Sequence, residues 1–185
     1  MPPAKDKDLF GQQLTKRHTN RLEGVMRRYD KRTFSNRLLR LDYVTKIFPR
    51  GLMYMLPPES AFVFEEAKMS FINGQFVSTI LLSQAFIEHM FQNYVQSIGN
   101  KSLAKSGLAA ITRFLRKGNI VHPFLLDKID QLRLIRNPFT HLPAPGSPHS
   151  ISQRAFQKQQ DPYHALATDA AAALGLMYQI AITKI

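Results

Sequence analysis

From Pro58 to the end of the chain, apolar side chains recur at intervals of three and four and almost never alternate, which commits the sequence to helices and leaves little for strands. Breaks in the pattern divide it. Pro57-Pro58 resists helix and favours an extended connection, so a domain starts there. Asn73-Gly74, Gly99-Asn100 and Lys117-Gly118 are stop signals, and Asp161-Pro162 is a start signal, an N-cap followed by proline. The expected helices are therefore 59–71, 75–98, 108–116, one from Pro123 to the Arg136 region, and 163–182. The second carries Phe76, Val77, Ile80, Leu81, Ala85, Phe86, Phe91, Tyr94 and Val95, an apolar surface wide enough for a central, heavily packed helix. The run Ala170 to Ala173 in the last lets another helix approach closely.

A chain of 185 residues accommodates one domain with a proper core plus an extension. The reading is an all-α bundle of four to five helices over 58–185, preceded by a basic, partly helical arm over 1–57. Within the arm, 36–48 reads as a short amphipathic helix ended by Pro49 and Gly51, with earlier helical material over 9–28. The net charge of +12 is concentrated there: residues 1–50 hold thirteen Lys and Arg against five Asp and Glu, a net of +8. Such a field gathers polyanions, nucleic acid first and acidic lipid second, although basic surface also simply keeps proteins soluble. The absence of Cys excludes disulfides and thiolate chemistry and fits a reducing cytoplasm. Residues 1–8 alternate in charge, so no signal peptide is expected. The apolar stretches within 76–98 and 170–182 are interrupted or too short to span a membrane. Histidines lack partners at metal-ligand spacing, and no glycine-rich phosphate loop, serine elbow or zincin motif is present; no metal or cofactor is expected.

One segment departs from packing logic. Leu125, Ile129 and Leu132 form a helical stripe on which the next residue is Arg136, and a guanidinium there must find an anion or line a cleft. Pro138 then ends or kinks the helix near Asn137. In a straight helix Arg136 and His141 would point about 140° apart; a break lets them converge.

Arg136-Asn137-Pro138-Phe139-Thr140-His141, near the end of the penultimate long helix, resembles the Arg, polar residue, variable positions and His of HEPN domains, an all-helical family of toxins, defence proteins and RNA-processing nucleases. The resemblance covers about 58–185. It includes the helix pair joined at Asn73-Gly74, the phrase Gly74-Gln75-Phe76-Val77, and Glu88 in Phe86-Ile87-Glu88, similar to an acidic residue that the family often keeps on its second helix. The basic arm has no counterpart. Some family toxins are modified by a partner nucleotidyltransferase on a tyrosine two residues past the histidine; Leu142 and Pro143 stand here instead.

The resemblance implies metal-independent RNA cleavage, in which a ribose 2′-OH attacks the adjacent phosphate. His141 would exchange protons, Arg136 would hold the phosphate, Asn137 would bind phosphate or orient His141, and Glu88 would orient either. It also implies a homodimer in which two Arg/His sets share one cleft, and a regulatory antitoxin or nucleotidyltransferase as partner. Arg113, Arg116, Lys117 and Arg133, with Arg27 and Arg28 of the arm, are the candidate RNA contacts. Against these stand structural readings. Arg136 and Glu88 would make a buried ion pair, His141 would cap a helix end, and the Arg116-Lys117 end would only satisfy the helix dipole. A catalytically inactive module that binds RNA, a nucleotide or a protein is the alternative function.

Overall fold

The computed structural model describes residues 16–48 and 56–183, all of whose regular structure is helical. The described residues divide between Leu39 and Arg40 into two compact units. Helix α1, Lys16–Ile47, is one continuous helix, where the sequence suggested a short helix over 36–48 and separate material before it. Positions 9–15 and the expected stop at Pro49 and Gly51 lie outside the described residues. From Thr19 to Leu39, α1 is largely exposed and basic, with an Arg37–Asp30 ion pair at 2.9 Å. Its apolar residues Leu22, Val25, Met26 and Tyr29, spaced at three and four, are exposed as well.

Residues 40–48, ahead of the domain start expected at Pro57, pack with the second unit. Val44 is buried in the core, and the Tyr43 ring meets that of Phe71 at 5.4 Å between centroids. Phe48 packs edge-on against Phe64 and Tyr178. The Arg40 guanidinium donates to the Ile72 carbonyl at 2.9 Å and lies over the Phe76 ring. The amphipathic pattern over 36–48 marks an apolar face here without showing which helices cover it.

The second unit contains the five long helices expected, α2 Pro58–Ile72, α3 Phe76–Ser97, α5 Leu108–Lys117, α6 Pro123–Arg136 and α8 Pro162–Ile182. Two short ones join them, α4 Lys101–Ala104 and α7 Ile151–Gln157. α3 is central, packing on α2 and α8 along its length and on α4, α5 and α6 beyond. Its Ile80, Phe86, Ile87, Phe91 and Val95 are wholly buried, each contributing about 2 kcal/mol relative to exposure. Thr79, Ser83 and Gln84 are buried on the same helix. Thr79 donates to the Gln75 carbonyl at 3.1 Å. The facing sides are Phe64, Ala67 and Phe71 of α2, Ile111 and Leu115 of α5, Leu126 and Ile129 of α6, and Ala170, Leu174, Met177 and Ile180 of α8. α8 is long and apolar enough to cross a membrane by length and composition, but its buried residues make it a wall of this core.

Two local devices fix the helices. Between α2 and α3, Gly74 adopts φ +77°, and its N–H and that of Gln75 close on the Phe71 and Ser70 carbonyls. A methyl group there would meet Arg40 Nη2 at 3.2 Å and the Tyr163 hydroxyl at 3.3 Å. Between α7 and α8, the Arg154 guanidinium pairs with the Asp169 carboxylate, both side chains being nine-tenths buried. Gly74→Ala should therefore cost about 1–2 kcal/mol through the left-handed backbone alone, seen as a lower thermal midpoint. Asp169→Ala should cost more, about 3–5 kcal/mol, because it leaves a buried guanidinium without its counter-ion; chemical denaturation gives the value.

Candidate functional site

α6 starts with His122, whose Nδ1 accepts the Phe124 N–H at 3.3 Å, followed by Pro123 in the first turn, where its missing donor costs nothing. It buries Leu126, Ile129 and Leu132, while Leu125 packs at the edge of the core. The core stripe is thus set slightly off the predicted one, and Arg136, the last residue of α6, continues it half-buried. At Pro138 the chain tightens into a 3₁₀ turn, Asn137–Phe139. The Asn137 carbonyl then accepts from the Thr140 N–H at 3.0 Å, the His141 N–H at 2.9 Å and the Thr140 hydroxyl at 3.2 Å. The backbone of His141 is held by this turn, and its side chain is left exposed.

Past the turn, the chain returns over the end of α6 and makes an open cleft of about 160 Å³. His141 and Asn137 line it, together with Pro138, Ser147 and His149. Arg136 does not line this cleft; its Nη1 donates to the Thr140 hydroxyl at 3.1 Å, one residue before His141. Nor does Glu88, which is half-buried on α3, and among the described residues no ion pair joins it to Arg136 or His141. Two of the four catalytic candidates therefore share a cleft, the third stands beside it through Thr140, and the fourth lies apart.

The basic candidates divide in the same way. Arg113, Arg116 and Arg133 line a hollow of about 200 Å³ with Asp130. Arg116 bridges α5 to α6, reaching Asp127 at 2.8 Å and Asp130 at 3.1 Å, and Arg133 approaches Asp130 at 3.6 Å. The Asp127 hydrogen bond, reinforced by the charge of both aspartates, holds the Arg116 guanidinium above its ordinary range against a smaller effect of burial. Arg116 is thus an inter-helix clamp, and the unpaired positive charge of the hollow rests on Arg113. Lys117, Arg27 and Arg28 are exposed. A larger hollow, about 340 Å³ between α6, α8 and the end of α1, contains none of the candidate residues. It is bordered by Tyr43, whose hydroxyl donates to the Ala171 carbonyl at 3.3 Å and is raised above its ordinary pKa by burial.

The sequence marks His149 only as one of several histidines without metal-ligand partners. The loop that carries it is tied down. Gly146 takes φ +75°, the Ser147 N–H donates to the Ala144 carbonyl, and the Ser150 hydroxyl caps α7 by accepting the Gln153 N–H. The buried Arg154 donates through Nε to the His149 carbonyl at 3.1 Å. Ser150 three residues before Gln153 was the available signal, a cap opening a short helix in what read as a polar connection. Among the described residues, no three His, Cys, Asp or Glu side chains cluster as a metal site would require. Comparison with protein-family models, with curated proteins and with solved structures found no match for this chain.

Proposed function

We propose that this chain is a HEPN-type endoribonuclease, metal-independent, acting on single-stranded or looped RNA by attack of a ribose 2′-OH on the neighbouring phosphate. The observation that carries the reading is the end of α6, where the exposed His141 and Asn137 line an open cleft and the Arg136 guanidinium is bonded to Thr140, the residue before His141. An imidazole exchanges protons near neutrality, and a guanidinium stays charged and matches phosphate oxygens as charge builds on them. In-line attack needs a backbone free to turn, which favours unpaired RNA. The homodimer, the cytoplasmic setting, a toxin or defence role and an antitoxin or nucleotidyltransferase partner belong to the same proposal.

The position of Arg136 supports a second reading, a module that binds RNA without cleaving it. Its guanidinium is occupied by Thr140 and lies outside the cleft, as a phosphate anchor would. The two readings part on turnover.

Purified protein incubated with unstructured RNA and a chelator should release fragments ending in a cyclic phosphate, and His141→Ala should slow this by about 10²-fold or more. Arg136→Ala should cost a comparable factor, since it removes a charged contact to the phosphate. Undiminished cleavage in both variants would remove the catalytic reading, and retention of RNA with no fragments would select the binding module. In the arm, Arg27→Gln with Arg28→Gln should weaken binding evenly across RNA sequences and reduce the slope of log affinity against log salt by about 1.4. An unchanged slope would show that these arginines do not meet phosphate.

A further inference from the structure

Two helix faces of this chain carry bare apolar stripes edged by opposite charge. On α1, Leu22, Val25, Met26 and Tyr29 fall within about 100° of arc at 3.6 residues per turn and so make one stripe. They are 41 to 57% exposed. Arg21 and Arg32, both exposed, adjoin one edge of it. On α2, Phe64, Ala67 and Phe71 go to the core, while the opposite face keeps Phe62 and Met69 outward, 73% and 53% exposed. These two are seven residues apart, as Leu22 and Tyr29 are, which sets each pair about 10 Å apart along its helix. The exposed Glu59 and Glu66 adjoin the Phe62–Met69 line on one side, and Glu65 on the other, where Lys68 holds it at 2.8 Å. A chain with a net charge of +12 thus gathers three of its thirteen carboxylates on one face of one helix. Among the described residues, no ion pair engages Arg21, Arg32, Glu59 or Glu66.

We infer that residues 21–32 of α1 dock on the outer face of α2 of a second copy. An apolar stripe repeated at three and four residues is the form in which one helix meets another, and the contact removes both sets of apolar side chains from water. Charge chooses the surface. The basic edge of α1 finds on α2 the acidic edge of a stripe with the same seven-residue spacing, and such complementarity fixes which partner is accepted more than how tightly it is held. RNA would engage the cations of α1 but leave Leu22, Met26, Phe62 and Met69 bare. Arg27, Arg28 and Lys31 lie farther round α1 from the stripe and remain open to phosphate. No residue of the cleft at the end of α6 takes part, so the inference goes beyond the nuclease reading and does not depend on it.

Charge reversal in the full-length protein, freed of nucleic acid and measured by light scattering, tests the contact. The parent should have the mass of a dimer or a larger assembly. Arg21→Glu with Arg32→Glu should weaken association by about tenfold or more, and Glu59→Lys with Glu66→Lys should do the same, since each sets like charges edge to edge. The two variants mixed in equal amounts should associate again. Each α1 then meets an α2 of opposite sign on the other chain, a recovery that misfolded variants could not give. A parent of monomer mass overturns the inference. So does an α2 variant that associates as the parent does, because α1 would then be covered by something else, and so does a pair of dissociated variants that fail to rejoin when mixed. RNA cleavage by the parent, scored in the same preparation, judges the nuclease reading separately.

Discussion

The fold depends on one helix that cannot exist alone. α3 buries Ile80, Phe86, Ile87, Phe91 and Val95 completely and carries Thr79, Ser83 and Gln84 inward with them, so nearly its whole circumference needs cover. α2 and α8 supply most of that cover, and α5 and α6 close the remainder. α2, α5 and α6 each need only a single apolar face, which is why they can be shorter and more polar than α3. The basic end of α1 joins because a gap remains near Phe64 and Phe71 that Val44, Tyr43 and Phe48 fill.

Helix boundaries written in local chemistry were legible. Pro123 at the start of α6, Asp161-Pro162 at the start of α8 and Asn73-Gly74 between α2 and α3 each act within three or four residues, and each does in the structure what its residue type dictates. The Asp161 carboxylate accepts the N–H groups of Tyr163 and His164, as its spacing requires. What depends on distant partners was not legible. The inward role of 40–48 exists only because α2 and α8 lie where they do, and Ile87, absent from the apolar surface read for this helix, is wholly buried once α3 is surrounded. α4 and α7 are four and seven residues long, too short for a period to declare itself.

Among the candidate residues, the same division holds. Arg136 was singled out by its place on an apolar stripe and Asn137 and His141 by a motif, while the break expected at Pro138 is a local event, and the interruption is there. The partners given to them, Glu88 above all, were guesses about three-dimensional neighbours. Thr140, next in line and carrying an unremarkable hydroxyl, is what meets the guanidinium. His149 comes to the cleft through a loop closed by a buried arginine thirteen residues beyond His141, a route that no periodicity announces. The charges sort by surroundings. Arg154 and Arg116 are held by aspartates that join helices, whereas Arg21, Arg27, Arg28, Lys31 and Arg32 of α1 face solvent.

None of the side chains around the cleft at the end of α6 belongs to the core. Leu134, Asn137, Pro138, His141, Leu142, Pro143, Ser147 and His149 are all at least partly open to solvent, Leu142 almost fully, while the bundle is sustained by a separate set of residues. Shape and chemistry at this rim can accordingly diverge between descendants of the chain at little thermodynamic penalty, provided the aspartate and arginine beneath the loop stay. Such a layout lets selection retune what enters the groove without first having to rebuild the scaffold that carries it.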